Sequence, residues 1–107
     1  MDKLTTSPDF DADDNEPLYD LRLFVAGASD NSIRAVENLK YICEKHMPGQ
    51  YALAIIDIHQ QKNLAAQEQL IALPLLIKKR PLPERRLIGD MSDTEKVLKG
   101  LGISHAL

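Results

Sequence analysis

Leu21-Arg22-Leu23-Phe24-Val25-Ala26-Gly27, continued by Ala28-Ser29-Asp30-Asn31-Ser32, reads as a strand that stops at a glycine and turns into a helix start. The apolar run is short and rich in strand-forming side chains, which suits a buried strand. Ser29, Asp30, Asn31 and Ser32 carry side-chain oxygens that accept from the free amides at a helix N-terminus. Beyond them Val36, Leu39, Ile42 or Cys43, and Met47 recur every three or four positions, while Arg34, Glu37, Lys40 and Glu44 fill the rest of the cylinder. Lys45 and His46 fall where the helix dipole favours cations, and Pro48-Gly49 ends the helix. Tyr51-Ala52-Leu53-Ala54-Ile55-Ile56-Asp57-Ile58 is apolar on both alternating faces, which predicts a second buried strand. Such a strand–helix–strand unit has parallel strands and a right-handed crossover.

Downstream, Asn63 to Leu73 contains Leu64, Ala65, Ala66, Leu70 and Ile71 with no breaker before Pro74, and predicts a helix. Leu73-Pro74-Leu75-Leu76-Ile77 predicts a strand with its proline near the start, where the missing donor is tolerated. Pro81-Leu82-Pro83 makes a stiff turn into a hairpin strand at Arg86-Leu87-Ile88. Ser92-Asp93-Thr94-Glu95 has the form of a capping box between Ser92 and Glu95. Val97, Leu98 and Leu101 give the helix that follows its apolar face, and Gly100 or Gly102 ends it. The resulting order, βαβαββα, predicts an α/β domain of thioredoxin-like arrangement, a sheet covered by helices on both faces.

Upstream, residues 1–17 hold Asp2, Asp9, Asp11, Asp13, Asp14 and Glu16 against Lys3. This segment carries −5, so the remainder of a chain of net charge −3 carries +2. With Pro8 and Pro17 and few large apolar side chains, it predicts a flexible acidic arm ahead of a domain over residues 18–107. The spacing Asp9-x-Asp11-x-Asp13 imitates a calcium loop, but Asp14 stands where the turn needs glycine and Pro17 interrupts it. Of 107 residues 44% are hydrophobic but only 5% aromatic, with no Trp, so one modest aliphatic core is expected. Aromatic platforms for single-stranded nucleic acid are not expected. A single cysteine excludes an internal disulfide, a CxxC pair and a thiolate-built zinc cluster. No apolar run approaches the ~20 residues that span a bilayer, and Met1 leads into polar residues rather than a signal sequence. A cytoplasmic protein without a membrane partner is expected.

The residues give no support to catalysis. Redox proteins of this arrangement place a thiolate between the first strand and first helix, where this chain has Gly27 to Ser32 and no cysteine. Ser29 and Ser32 copy the CxxC spacing, but alcohols have no redox couple, and capping explains them. Cys43 falls on or beside the helix stripe and reads as a small buried hydrophobe. His46, His59 and His105 lack metal-ligand spacing. Asp57, some thirty residues beyond Gly27, echoes a dinucleotide site, but one glycine does not replace the three such a site needs. Asp57 instead reads as a cap or turn at the strand end. Neither enzyme activity, nor a cofactor, nor a metal is expected. The physical clue to function is the basic run Lys78, Lys79, Arg80, Arg85 and Arg86, opposed only by Glu84 and stiffened by Pro81, Leu82 and Pro83. It suits an acidic protein surface or the chain's own arm; a solvated hairpin that blunts an edge strand is equally consistent. Nucleic acid is disfavoured because the wider domain is barely cationic.

Leu23-Phe24-Val25-Ala26-Gly27, Asn31-Ser32, Tyr51-Ala52-Leu53, Ile56-Asp57, Pro81-Leu82-Pro83 through Arg85-Arg86, and Leu87-Ile88-Gly89-Asp90-Met91-Ser92-Asp93 through Gly100-Leu101 occur in an order that resembles the KaiB family. The resemblance spans residues 19–101. It implies a non-enzymatic regulatory protein that binds a KaiC-type ATPase in a circadian-clock or stress-response system. KaiA-like proteins or a clock histidine kinase are further implied partners. It also implies a homo-oligomer, tetramer or dimer, and exchange between a thioredoxin-like monomer and a homotetrameric ground form of order βαββααβ. Pro74, Pro81, Pro83, Gly100 and Gly102 are the fold-switch candidates: X-Pro bonds isomerise slowly, and glycines weaken the last helix. Carried over from the family as partner-contact or assembly positions are Arg34, Ala52, Asp57, Arg85 and Arg86. Ala54 and Gln69 stand where the family often has Lys. The competing reading is a thioredoxin-like thiol, glutathione or peptide binder without the CxxC site, with its groove beside Pro74.

Overall fold

The structure is a computed structural model that describes residues 17–69 and 72–103. All but Pro17 of the acidic arm expected over residues 1–17, the positions of Leu70 and Ile71, and His105 lie outside those described residues. Strand β1 (Tyr19–Val25) leads to helix α1 (Asp30–His46) and strand β2 (Tyr51–Asp57). Helix α2 (Lys62–Glu68), the β3–β4 hairpin (Leu75–Arg80 and Arg85–Ile88) and helix α3 (Thr94–Leu101) follow. The sheet order is β2-β1-β3-β4. β1 and β2 are parallel, with Tyr19 opposite Tyr51 and Val25 opposite Asp57. β3 is antiparallel to both β1 and β4. This is the thioredoxin-like arrangement that the element order predicts.

Sequence chemistry accounts for the boundaries. Ser29 is the N-cap of α1, its Oγ accepting from the Ser32 amide at 3.2 Å. Ser29 also donates to Ser32 Oγ at 2.9 Å, and the Ala26 amide donates to that same Ser32 oxygen at 3.1 Å. The two serines therefore lock the strand–helix corner. Lys45 and His46 lie in the last turn of α1, as the dipole argument predicts. Leu73–Pro74, Arg80–Pro81 and Leu82–Pro83 are cis peptide bonds, at the entry to β3 and in the hairpin turn.

Two cores flank the sheet. On one face Leu21, Leu23, Val25 and Leu76 pack with Ala35, Leu39, Ile42, Cys43 and Met47 of α1 and with Val97, Leu98 and Leu101 of α3. On the other, Phe24, Ile56, Leu75 and Ile77 form a smaller cluster with Ile58 and Leu73. Burying one such side chain contributes ~1.5–3 kcal/mol, so the helix-covered face holds most of the stabilisation.

Four expectations need correction. β2 is not buried on both faces: it is an edge strand in which Ala52, Ala54 and Ile55 are exposed and only Ile56 is buried. The helix expected from Asn63 to Leu73 is shorter, because Gln69 takes a left-handed conformation (φ 54°) that ends α2 at Glu68. The cap of α3 is Asp93, whose side chain accepts from the Lys96 amide at 3.2 Å, rather than Ser92 in a box with Glu95. Ser92 is excluded because its own amide is committed to Asp90 Oδ1 at 3.1 Å, in a turn around Met91 at φ 61°. Finally, Pro74 lies just before β3, which begins at Leu75 rather than at Leu73.

Candidate functional site

Alternation along a strand sends successive side chains to opposite faces, and this divides the basic run into separate environments. Arg22, Ile77 and Arg86 are cross-strand neighbours on the face away from α1 and α3. The end of α2 brings Glu68 onto this face. Its carboxylate lies 2.9 Å from Lys79 Nζ, 3.3 Å from Arg86 and 4.0 Å from Arg22, with a side chain only 15% exposed. Arg86 also donates to the Glu68 backbone carbonyl at 2.8 Å. One acid thus gathers three cations, and Arg86 ties the last turn of α2 to the sheet. Charge-assisted bonds of this kind contribute more than neutral ones.

Lys78 and Arg85 face each other on the opposite side of the same hairpin. Lys78 is 4% exposed, so it is not the solvated hairpin cation that the basic run suggests. A Cβ placed on Gly102, at the end of α3, would lie 3.8 Å from its Nζ. Burial, and then the neighbouring Arg85 charge, lower its pKa from the ordinary lysine value. No carboxylate among the described residues pairs with either Lys78 or Arg85. Arg85 is exposed.

The remaining family-derived positions do not converge on one point. Arg34 reaches from the first turns of α1 to Asp90 at 3.3 Å and also bonds Asn31, while Asn38 donates to the Asp90 carbonyl at 2.9 Å. Asp90 has its carboxyl held below the usual value chiefly by hydrogen bonds from Ser92 and then by Arg34. Asp57 Oδ1 accepts from the amides of Gly27 at 3.2 Å and His59 at 2.9 Å. It closes the corner between β1 and β2, the turn role expected from its place at the strand end. Ala52 is exposed on the edge strand five residues back, a separation of ~17 Å. Arg34 and Asp57 therefore lie at the end of the sheet where β1 finishes, and Ala52 and Arg85 near the other. Glu68, which positions Arg86, belongs to no motif, and Asp90, which positions Arg34, stands in the family-like stretch without a role read for it; both act across separations that the sequence does not reveal.

The competing thiol or peptide groove fares less well. Ser29 and Ser32 are consumed in capping, and Pro74 is buried with its carbonyl accepting from the Gly89 amide at 3.0 Å. Cys43 is fully buried, and burial pushes its thiol up to about 12. Among the described residues no cluster of His, Cys, Asp and Glu has metal-binding geometry, and no helix is long and apolar enough to cross a membrane.

Comparison with known proteins gives one consistent family. The KaiB domain model matches residues 22–103. The circadian clock oscillator protein KaiB of Synechococcus elongatus is 49% identical over 87 residues, covering 81% of this chain and 85% of that protein. The same-named protein of Prochlorococcus marinus subsp. pastoris is 49% identical over 85 residues, or 79% of each chain. Among solved structures, the N-terminal domain of Synechococcus elongatus SasA superposes with a TM-score of 0.65 at 24% identity, covering 86% of this chain and 90% of that one. Mitochondrial thioredoxin 3 of Saccharomyces cerevisiae gives 0.66 at 12% identity, covering 82% and 80%. At these identities the two structures speak for the fold alone.

Proposed function

This chain belongs to the KaiB family of circadian clock proteins, and on that premise we propose that it regulates a KaiC-type ATPase by docking on it, without catalysing a reaction of its own. The observation that carries the proposal is Arg85. It is exposed, has no acidic partner among the described residues, and stands on a hairpin stiffened by Pro81 and Pro83. A fixed cation with no counter-charge among the described residues suits an acidic partner surface. Arg86, by contrast, is engaged with Glu68 and acts through the fold.

Arg34, on the same argument, holds the β4–α3 corner through Asp90, and Ala52 offers backbone and little side chain at an open sheet edge. A KaiA-like protein or a clock histidine kinase is a further partner class for this fold. Exchange with a homotetrameric βαββααβ form is part of the same proposal. It is supported by the weak helical preference of α3, eight residues long with Gly100 inside it and Gly102 at its end.

The test is co-migration of the full chain with a KaiC-type ATPase in the presence of ATP. Arg85→Glu is expected to weaken capture by about tenfold, or ~1.4 kcal/mol, with an unchanged circular dichroism spectrum. Capture unaffected by Arg85→Glu, or failure of the wild-type chain to co-migrate over hours, would overturn the reading. Exchange between folds predicts two sets of amide resonances whose ratio moves with partner; a single invariant set counts against it.

A further inference from the structure

The hairpin carries an unbalanced pair of cations close to the start of β1. Lys78 and Arg85 are directly opposite one another across β3 and β4, an arrangement of like charges that is destabilising unless an anion joins it. Lys78 is also 4% exposed and has no hydrogen-bond or ion-pair partner among the described residues, a costly state for a buried amine. Among the described residues no carboxylate joins this pair.

The chain itself holds one within reach. Leu21 of β1 is the cross-strand neighbour of Lys78, and Asp20 that of Arg80 at the hairpin base. The chain upstream of Tyr19 thus leaves the sheet about two residues, or ~7 Å, from Lys78. Pro17, which lacks a ladder donor, stands just before this strand and favours departure from the sheet. Asp9, Asp11, Asp13, Asp14 and Glu16 lie within the eight residues before Pro17, and a stretch of that length spans up to ~28 Å when extended. The surface beside the exit is adhesive as well as charged, since Leu18 is 57% and Leu82 79% exposed.

We propose that the acidic arm of residues 9–16 docks on the Lys78–Arg85 pair beside the β3–β4 hairpin, as an internal counter-ion. Because Arg85 is also the residue assigned above to the ATPase, the docked arm competes with that partner. This consequence rests on the proposed function, whereas the docking itself does not. The interaction is electrostatic and partly exposed, so it weakens as salt shortens the screening length from ~10 Å at 0.1 M to ~3 Å at 1 M.

A nitroxide placed on Ser7→Cys in the full chain tests the docking without any partner present. Cys43 does not compete for the label, being buried with a raised thiol pKa. At low salt the amide signals of Lys78, Arg85 and Gly102 are expected to lose most of their intensity relative to the reduced sample. They should recover in high salt, in Arg85→Glu, and when the arm's acids are changed to Asn and Gln. Uniformly weak broadening, broadening centred elsewhere on the domain, or broadening that falls on dilution (a second copy's arm) would each overturn the proposal. So would a Lys78 side-chain shift that ignores neutralisation of the arm, which assigns its counter-ion elsewhere. In a separate arm, the neutralised chain should bind a KaiC-type ATPase several-fold tighter. If label contact is present but affinity is unchanged, the competition fails while the docking stands; if no binding occurs in either form, the proposed function fails.

Discussion

Gly100→Ala asks whether α3 is set against β4 by a close approach or whether its glycine is only a weak helix former. A Cβ built on Gly100 meets Leu87 Cδ1 at 2.6 Å, Cδ2 at 2.8 Å and Cγ at 3.0 Å. Carbon atoms pack comfortably at ~3.5–4 Å, so Leu87 must retreat by about 1 Å or change rotamer. Leu87 is partly buried and packs on one side against the core cluster that includes Met91, Val97 and Leu98, which restricts its retreat to the cavity it lines with Ile88 and Asp90. Overpacking of this sort costs ~1–3 kcal/mol. Replacing a helical glycine by alanine returns at most ~1 kcal/mol, and less near a helix end. The net expectation is destabilisation by ~1 kcal/mol, which for a urea m-value of ~1–3 kcal/mol/M lowers the unfolding midpoint by ~0.3–1 M. The decisive measurement is a cycle with Leu87→Ala. In that background the obstruction is gone, and Gly100→Ala should become neutral or stabilising, giving a coupling of ~1–2 kcal/mol. A rise in midpoint for Gly100→Ala in the wild-type background, or no coupling to Leu87, would refute the steric argument.

Lys78→Met is expected to stabilise the domain by ~1–2 kcal/mol in high salt, where exposed counter-charges are screened. Since the folded-state pKa lies below the unfolded value, the wild-type penalty is complete below the folded pKa and eases as pH rises toward ~10; the gain from Lys78→Met should therefore shrink in alkaline solution, and one that grew there would contradict the assignment. Asp57→Ala should cost ~1–2 kcal/mol by leaving the Gly27 and His59 amides without their acceptor, while Asp57→Asn, which keeps the carbonyl oxygen, should lose much less on thermal unfolding. Cys43 should resist a thiol reagent at neutral pH in the folded protein and react on unfolding; rapid stoichiometric reaction of the native chain would show that α1 opens.

Local chemistry made part of this legible in the letters and nonlocal chemistry hid the rest. The β1–α1–β2 unit could be read because its apolar spacing, Ser29 cap and Pro48-Gly49 stop agree with one another. The edge position of β2 could not, because alternation reports which residues are apolar and not which strand gains a second neighbour. Topology makes β1 and β3 central, and the same apolar pattern leaves Ala52, Ala54 and Ile55 exposed. At the start of α3, Ser92 and Asp93 are both competent caps. The choice falls to a bond between Asp90 and the Ser92 amide that no periodicity predicts. Likewise the end of α2 depends on Gln69 turning left-handed, which Gln rarely announces.

The site shows the same division more sharply. In sequence Arg85 and Arg86 are one basic dipeptide, and a charge count assigns them one role. In a strand they are forced to opposite faces, and what they meet there is decided by elements far along the chain. Arg86 meets Glu68, eighteen residues away, and becomes a tie that holds α2 over the sheet. Arg85 meets Lys78, a like charge, and is left with an attraction for anions that the described fold does not satisfy. Replacing Arg86 therefore removes internal structure before it removes any contact, whereas replacing Arg85 relieves repulsion and removes a docking charge. A loss of partner capture on changing Arg86 implicates the interface only if α2 stays in place. The same loss on changing Arg85, with stability unchanged or raised, implicates the surface directly.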